Sequence, residues 1–273
     1  MPELPEVEST IISLKQKILG DVIKEINIFY PPSFQSVYNL EALKDKKILD
    51  IQRKGKFLLF FLESDWVLVG HFRMEGKIYI NFLDECRQLH KYENFRIILT
   101  ENRVLRYFDF RKFGRFVLYK KEDYLIASGL NQLALDPFLI DFEKFFQVIK
   151  KKKIAIKKIL LDQKIISGIG NIYASEILFL AKINPETLSC DLNKEQVKNI
   201  ISISKKVLKK AIEFGGTSIS TFEAVGKRGS YQQKLLVYRK DKQNCVFCSE
   251  VIQKKKIGGR STYFCPQCQK NIL

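Results

Sequence analysis

Four cysteines near the end of the chain follow one spacing: Cys245-x2-Cys248, sixteen intervening residues, then Cys265-x2-Cys268. Each x2 step lets two sulfurs bend round one ion, and four thiolates at about 2.3 Å make a closed tetrahedral zinc site. Two disulfides are the rival arrangement, suited to a secreted chain. No apolar signal region precedes residue 20, and lysine dominates throughout, so zinc is expected. A closed four-thiolate site performs no chemistry, so its task is to hold a neighbouring segment in place.

That segment, residues 249–264, reads as two short strands turning at Gly258-Gly259 with Arg260 just past the tip. So small a hairpin needs the metal for its folding energy. A basic tip on a rigid hairpin suits a phosphate or a DNA groove. The whole chain leans the same way. It carries 47 Lys and Arg against 30 Asp and Glu, a formal net charge of +17. Such an excess concentrates polyanions and speeds their association. With 273 residues, 46% of them hydrophobic, the chain can bury a sizeable core and split into two domains. No uncharged apolar run of about 18 residues occurs, so no membrane span is expected. Cys86 and Cys190 stand alone and read as ordinary thiols of a reducing, cytosolic compartment.

Residues 5–19 carry Val7, Ile11, Leu14 and Ile18 on one stripe, which predicts an amphipathic helix with Pro5 in its first turn. From about 22 to 119 short β-rich runs take over: Ile48–Gln52, Phe57–Leu62, Trp66–His71, Lys77–Phe82, Phe95–Thr100, Val104–Phe108 and Arg115–Tyr119. Many short strands at such spacing predict an antiparallel sandwich or barrel. After a break near Gly129–Pro137 the pattern becomes helical, over Phe138–Ile149, Ile154–Gln163, Ile172–Ile183 and about Lys194–Phe214. Asn193 with Gln196 offers a capping pair for the last helix, and Gly215-Gly216 ends it. The lysines at 150–153, 157 and 158 form the densest basic cluster, expected on a solvated face that can also meet phosphate. Two helices are joined through Ser167-Gly168-Ile169-Gly170-Asn171. Its glycines permit close backbone approach to a ligand, and the following helix offers N–H groups, with the Asn171 amide as a further donor.

The chain opens Met1-Pro2-Glu3-Leu4-Pro5-Glu6-Val7-Glu8. A small second residue permits removal of Met1, exposing the secondary amine of Pro2. Free α-amines titrate at roughly 7.7–8.0, so an appreciable fraction is nucleophilic near neutrality. Attack on an aldehyde or a sugar C1′ gives an iminium ion, an electron sink for eliminations, with Glu3 and Glu6 close by for proton transfer. An acidic helix start that favours the dipole is the plainer reading of the same residues.

This opening resembles that of the bacterial formamidopyrimidine-DNA glycosylases. The similarity continues through Arg53-Lys54-Gly55-Lys56-Phe57-Leu58, His71-Phe72-Arg73-Met74-Glu75-Gly76 and Asp109-Phe110-Arg111-Lys112-Phe113-Gly114. It extends to the 168–176 segment, to Gly215-Gly216-Thr217 and to the cysteine hairpin. Leu4 and Val7 match the oxidised-purine branch better than the sister endonuclease VIII branch. The resemblance implies an α+β chain: an N-terminal antiparallel β-sandwich with flanking helices (1–131), a helix-two-turn-helix domain (138–223) and a zinc-finger β-hairpin (235–273).

It further implies a bifunctional glycosylase/AP lyase that excises 8-oxoguanine and formamidopyrimidines, then cuts the strand by β,δ-elimination. By residue matching, Pro2 is the nucleophile, Glu3 the acid/base and Glu6 the group holding both. Lys56, Asn171, Tyr173 and Arg260 meet DNA, with Lys56, Asn171 and Arg260 on phosphates flanking the lesion. Met74, Arg111 and Phe113 fill the space left by the flipped nucleotide. Cys245, Cys248, Cys265 and Cys268 hold one Zn2+. Base recognition falls on the loop around Ile219–Tyr231. The implied partner is damaged duplex DNA, met by a monomer in the bacterial cytoplasm at the nucleoid. Phe110, Lys112, Lys91-Tyr92-Glu93-Asn94-Phe95 and Tyr238-Arg239-Lys240 depart from the family's usual residues.

Overall fold

A computed structural model describes residues 1–86, 88–218 and 223–270. Two compact units divide the chain: Met1–Gln132 with Ile212–Gln232, and Leu133–Ala211 with Gln233–Leu273. The first opens on helix α1 (Leu4–Ile18). Strands β1 (Ile23–Ile28), β2 (Phe34–Gln35), β3 (Ile48–Lys54), β4 (Phe57–Leu62), β5 (Trp66–His71), β6 (Lys77–Phe82), β7 (Glu93–Leu99), β8 (Arg103–Phe108) and β9 (Arg115–Lys120) follow, then the short α2 (Tyr124–Ala127).

The strands form a four-stranded sheet, β1-β7-β8-β6, and a five-stranded sheet, β2-β9-β5-β4-β3. Among the described residues only the β2–β9 pair is parallel, joined at Phe34↔Phe116. Ile97, Leu105 and Tyr107 from one sheet share a core with Phe60, Leu68 and Phe116 from the other, which makes the unit a sandwich. β1 and β2 lie outside the strands expected from sequence. β1 carries Lys24 and Glu25 in an edge strand with a bulge, so its alternation is weak, and β2 is only two residues long.

α1 packs Val7, Ile11, Leu14 and Ile18 into this core. Chain starts fray unless tied down. Here Leu4 and Val7 are fully buried, and burying a Leu or Val is worth roughly 1.5–3 kcal/mol. The first turn is therefore pinned, which decides where the terminal amine can go.

The second unit holds α3 (Phe142–Lys150), α4 (Ile156–Leu161), α5 (Asn171–Leu180), nearly all of α6 (Lys194–Glu213) and the hairpin of β10 (Gln253–Ile257) and β11 (Arg260–Phe264). α3 starts four residues later than the periodicity predicts. The Asp136 carboxylate accepts the Phe138 N–H, closing a turn after Pro137, and Asp141 caps the helix by accepting from Lys144 N–H at 3.0 Å. α6 begins on the expected reciprocal pair, Asn193 N–H to Gln196 Oε1 and Gln196 N–H to Asn193 Oδ1, both 2.9 Å. Among the described residues no helix is long and apolar enough to cross a membrane.

Candidate active site and nucleic-acid-binding residues

Helix α1 delivers two carboxylates to the chain start. Glu3 is its N-cap and Glu6 its third residue, and the two form a reciprocal capping box. Glu is a poor N-cap by propensity, so its presence there, almost wholly buried, is a local choice against folding preference. Glu6 Oε2 accepts the Glu3 N–H at 2.8 Å. Glu6 Oε1 accepts both the N–H and the hydroxyl of Thr217, at 2.7 and 2.9 Å. Glu6 is thereby fixed as a strut joining residue 3 to residue 217.

Lys56 enters from the β3–β4 turn, also buried. Gly55 takes φ +58° there. Arg53 locks the turn, donating from Nη1 to the Gly55 carbonyl at 3.1 Å while its Nε pairs with Glu8 at 2.7 Å. The terminal ammonium is close enough to feel these groups. Burial is the largest influence and lowers its pKa, with Lys56 acting the same way and Glu3, Glu6 and Glu75 opposing. Pro2 itself is buried. The structure thus gathers Pro2, Glu3, Glu6 and Lys56 in one place. Sequence reasoning missed Thr217 as the anchor of Glu6, and missed His71. Desolvation first, then Arg73 and Lys56, push the His71 pKa down to about 3, so the ring is neutral at pH 7. Its Nδ1 accepts the Arg73 N–H at 2.9 Å, which leaves the proton on Nε2.

Met74, Arg111 and Phe113 stand on two turns of this unit. Asp109 organises one of them. Its buried carboxylate accepts from the backbone N–H groups of Arg111, Phe113 and Gly114 at 3.1, 3.0 and 2.7 Å. Lys112 takes φ +59° within the turn, and Phe113 is left 50% exposed with the Arg111 guanidinium 5.0 Å from its ring. The other turn, residues 72–76, presents Met74 at the surface. Both turns rest on the Tyr107 hydroxyl: a Cβ at Gly114 would lie 1.7 Å from it and one at Gly76 2.4 Å. Two glycines and one phenol therefore fix the three side chains on a common base. Asp109 carries no sequence signal of this role beyond its place in the motif, and Tyr107, which precedes the motif, carries none.

Past α6, Gly215 and Gly216 both take positive φ and cross Gly229, where a Cβ would meet the Gly216 carbonyl at 2.2 Å. Ser230 N–H to Phe214 O and Tyr231 N–H to Gly216 O close the crossing. Of the loop expected to read the base, Ile219, Ser220, Thr221 and Phe222 lie outside the described residues. Of the described part, Glu223 accepts from the Tyr79 hydroxyl at 2.8 Å and pairs with Arg228 at 3.2 Å. Gly216→Ala is expected to cost about 1–3 kcal/mol of stability, since its Cβ would come 2.9 Å from Glu6 Oε1 at φ +78°. Gly129→Ala is the control: φ is +73° but nothing lies within 4 Å. Denaturant unfolding of both variants checks this, and equal losses would show that the Glu6 contact contributes nothing.

In the second unit Asn171 opens α5. Its Nδ2 donates to the Ser261 carbonyl of the hairpin at 2.8 Å, so this amide already bridges helix and hairpin. Tyr173 is completely buried beneath the first turn. Lys157, expected on a solvated face, has 0% exposure; its Nζ donates to the Asn171 carbonyl at 3.1 Å and Ser175 Oγ at 2.8 Å. The charge pattern misleads here because one residue of a lysine run faces inward on α4. Arg260 follows the Gly258-Gly259 turn, both glycines at positive φ, and is exposed.

Three family models match the chain: the formamidopyrimidine-DNA glycosylase N-terminal domain over residues 1–116, the formamidopyrimidine-DNA glycosylase H2TH domain over 133–223, and the zinc finger found in FPG and IleRS over 242–271. Formamidopyrimidine-DNA glycosylase of Mycoplasma mobile is 41% identical over 99% of both chains. That of Mycoplasmopsis pulmonis is 42% identical over 99% of this chain and 98% of its own. The chain belongs to the formamidopyrimidine-DNA glycosylase family. Crystal structures of the Lactococcus lactis enzyme agree: the complex with DNA containing an abasic site superposes with a TM-score of 0.91 at 35% identity, over 98% of this chain and 100% of that one. The complex with Fapy-dG DNA gives 0.91 at 34%, with the same coverage.

The zinc finger of this family member has the geometry its spacing predicts. The four ligand sulfurs lie within 4.8 Å of one another, with Cys245–Cys268 at 3.8 Å and Cys248–Cys265 and Cys248–Cys268 at 3.4 Å. Sulfurs at 2.3 Å from a tetrahedral ion stand about 3.8 Å apart, whereas a disulfide requires about 2.05 Å. The donor set fits one structural zinc ion. Two buried side chains tie the finger to the helices. Glu176 on α5 accepts from the N–H groups of Leu236, Val237 and Tyr238 at 2.8, 3.0 and 2.8 Å; burial raises its pKa against those three donors. Gln269 accepts from Cys265 N–H at 2.9 Å and donates to the Ile183 carbonyl at 2.8 Å.

Proposed function

We propose that the chain is a bifunctional DNA glycosylase/AP lyase that removes oxidised purines, 8-oxoguanine and formamidopyrimidines, from duplex DNA. The observation that carries this reading is the gathering of buried Pro2, Glu3, Glu6 and Lys56 at the chain start. With Met1 removed, the Pro2 nitrogen becomes the terminal amine. Its neutral form attacks C1′, the C1′–N bond to the damaged base breaks, and the base leaves with a proton. The Pro2 nitrogen then gives up its proton and the C1′–O4′ bond breaks as O4′ takes one, which opens the sugar and leaves an iminium. The iminium acidifies C2′, whose proton is lost as the C3′–O bond breaks; loss of the C4′ proton as the C5′–O bond breaks completes the second elimination. Pro2 is buried, and burial disfavours the charged form of an amine, which favours the neutral nucleophile.

Glu3 is the acid/base at the sugar in this scheme. Both oxygens of Glu6 already accept hydrogen bonds, which suits a positioning residue. Lys56, Asn171 and Arg260 hold flanking phosphates, while Met74, Arg111 and Phe113 occupy the gap in the duplex; Tyr173, matched to the same DNA-binding set, is completely buried. The functional division 1–131, 138–223 and 235–273 belongs to the same proposal, as do action as a monomer and a place in the bacterial cytoplasm at the nucleoid.

Borohydride trapping on duplex DNA containing 8-oxoguanine tests the chemistry. One covalent adduct is expected, mapped by peptide mass spectrometry to the α-nitrogen of Pro2, and Pro2→Gly should reduce both trapping and incision. An adduct on Lys56, or undiminished incision by a preparation retaining Met1, would overturn the nucleophile.

A further inference from the structure

The chain holds two methionines, Met1 and Met74. The proposed chemistry removes Met1, which leaves Met74 as the single thioether. The fold treats it unlike the other sulfur-bearing residues. Cys86 is only 2% exposed, and Cys245, Cys248, Cys265 and Cys268 cluster as a metal site. The half-buried Cys190 thiol donates to Asp191 Oδ1 at 3.5 Å. Met74 is 37% exposed.

Exposure alone would make it an ordinary surface side chain, but the turn that carries it adds a constraint. The Gly76 N–H closes on the Phe72 carbonyl at 3.2 Å, and Arg73 between them holds φ +55°. A Cβ at Gly76 would come 2.4 Å from the Tyr107 hydroxyl, so the backbone after Met74 is seated against that ring. The core beneath is already filled by Phe72 and Tyr107. The thioether is therefore kept outside, on a base that does not yield.

A thiol is oxidised as its thiolate, whereas a thioether carries no proton and reacts directly. Hydrogen peroxide transfers one oxygen atom: the sulfur lone pair forms the S–O bond as the O–O bond breaks. The sulfur gives up two electrons and the peroxide leaves as water. The product is a polar, chiral sulfoxide in place of a flexible apolar group.

We propose that Met74 is a reversible oxidation site whose sulfoxide weakens the grip on duplex DNA. This rests on the proposed place of Met74 in the gap of the duplex. There an apolar side chain meets base faces, and a sulfoxide oxygen carried into the same gap loses its water at a cost. Arg111, the one donor side chain among the three residues proposed there, stands over the Phe113 ring. Bound DNA covers the thioether, so oxidation acts on protein that is not engaged on a duplex.

Treatment of the zinc-loaded protein with hydrogen peroxide tests this, read by peptide mass, zinc content and affinity for a duplex carrying an uncleavable abasic analogue. One added oxygen on the peptide containing Met74 is expected, with affinity weakened roughly ten- to hundredfold. Methionine sulfoxide reductases for both epimers, with dithiothreitol, should restore the affinity, and dithiothreitol alone should not. Met74→Leu should keep whatever affinity it starts with through the same treatment. Duplex present during oxidation should shield Met74. An unmodified Met74, a sulfoxide without loss of affinity, or an equal loss in Met74→Leu would overturn the inference. Equal oxidation with and without duplex would instead remove Met74 from the gap, and so overturn the reading beneath it.

Discussion

Glu3→Gln is expected to slow excision of 8-oxoguanine by roughly 10²–10⁴-fold, the usual contribution of a positioned acid/base, with little change in stability. The asymmetry follows from the capping box. Glu3 accepts the Glu6 N–H as an N-cap, and a glutamine carbonyl oxygen can accept the same bond. The Glu3 backbone N–H still meets Glu6 Oε2, so the helix start survives. What is lost is a group able to give and take a proton. Single-turnover incision, read beside the thermal midpoint and the affinity for an uncleavable abasic analogue, separates the two effects. A variant that retains wild-type incision would remove Glu3 from the chemistry. One that unfolds would show that its charge is needed for the helix.

Zinc removal is expected to have the second largest effect, and a selective one. The hairpin has only two strands, marginal in water without other support. Its local core is a small cluster of Phe179, Val237, Cys245, Ile252, Tyr263 and Cys265, two of whose members are metal ligands. Structural zinc contributes an apparent 10–16 kcal/mol or so in small fingers, far more than that cluster can replace. Chelation should therefore melt β10 and β11, freeing Arg260 and breaking the Asn171–Ser261 bridge. Each lost charge-assisted contact is worth about 1.5–3 kcal/mol, so DNA affinity should fall at least tenfold and recover when zinc is restored. The sandwich keeps its own core and its near-ultraviolet signal. Unchanged affinity after verified metal loss would show that the finger does not hold a DNA-binding group.

Periodicity and spacing made much of this legible. β4, β5 and β6 occupy their expected residues because their apolar runs are bounded by turn residues, and the α1 stripe is buried as its spacing requires. The cysteine pairs predicted their cluster because thiolate geometry leaves little freedom. What remained hidden depends on contacts distant in sequence. Nothing near Glu6 announces Thr217, and nothing near Met74 announces that its turn shares Tyr107 with the turn of Phe113. Lys157 looked like its neighbours in a basic run, but helical rotation turns it inward onto the Asn171 carbonyl and Ser175.

The first unit is discontinuous: Ile212–Gln232 belongs with Met1–Gln132, Thr217 receives Glu6, and Val225 enters the sandwich core. On the ribosome, the opening strands emerge on the order of ten seconds before their missing piece, at roughly 5–20 residues per second. A nascent chain can therefore assemble both sheets while Glu6 still lacks its distant partner, and truncated translation products should inherit a sandwich with a slack reaction centre. Competence to cut DNA is then expected only once synthesis has passed α6.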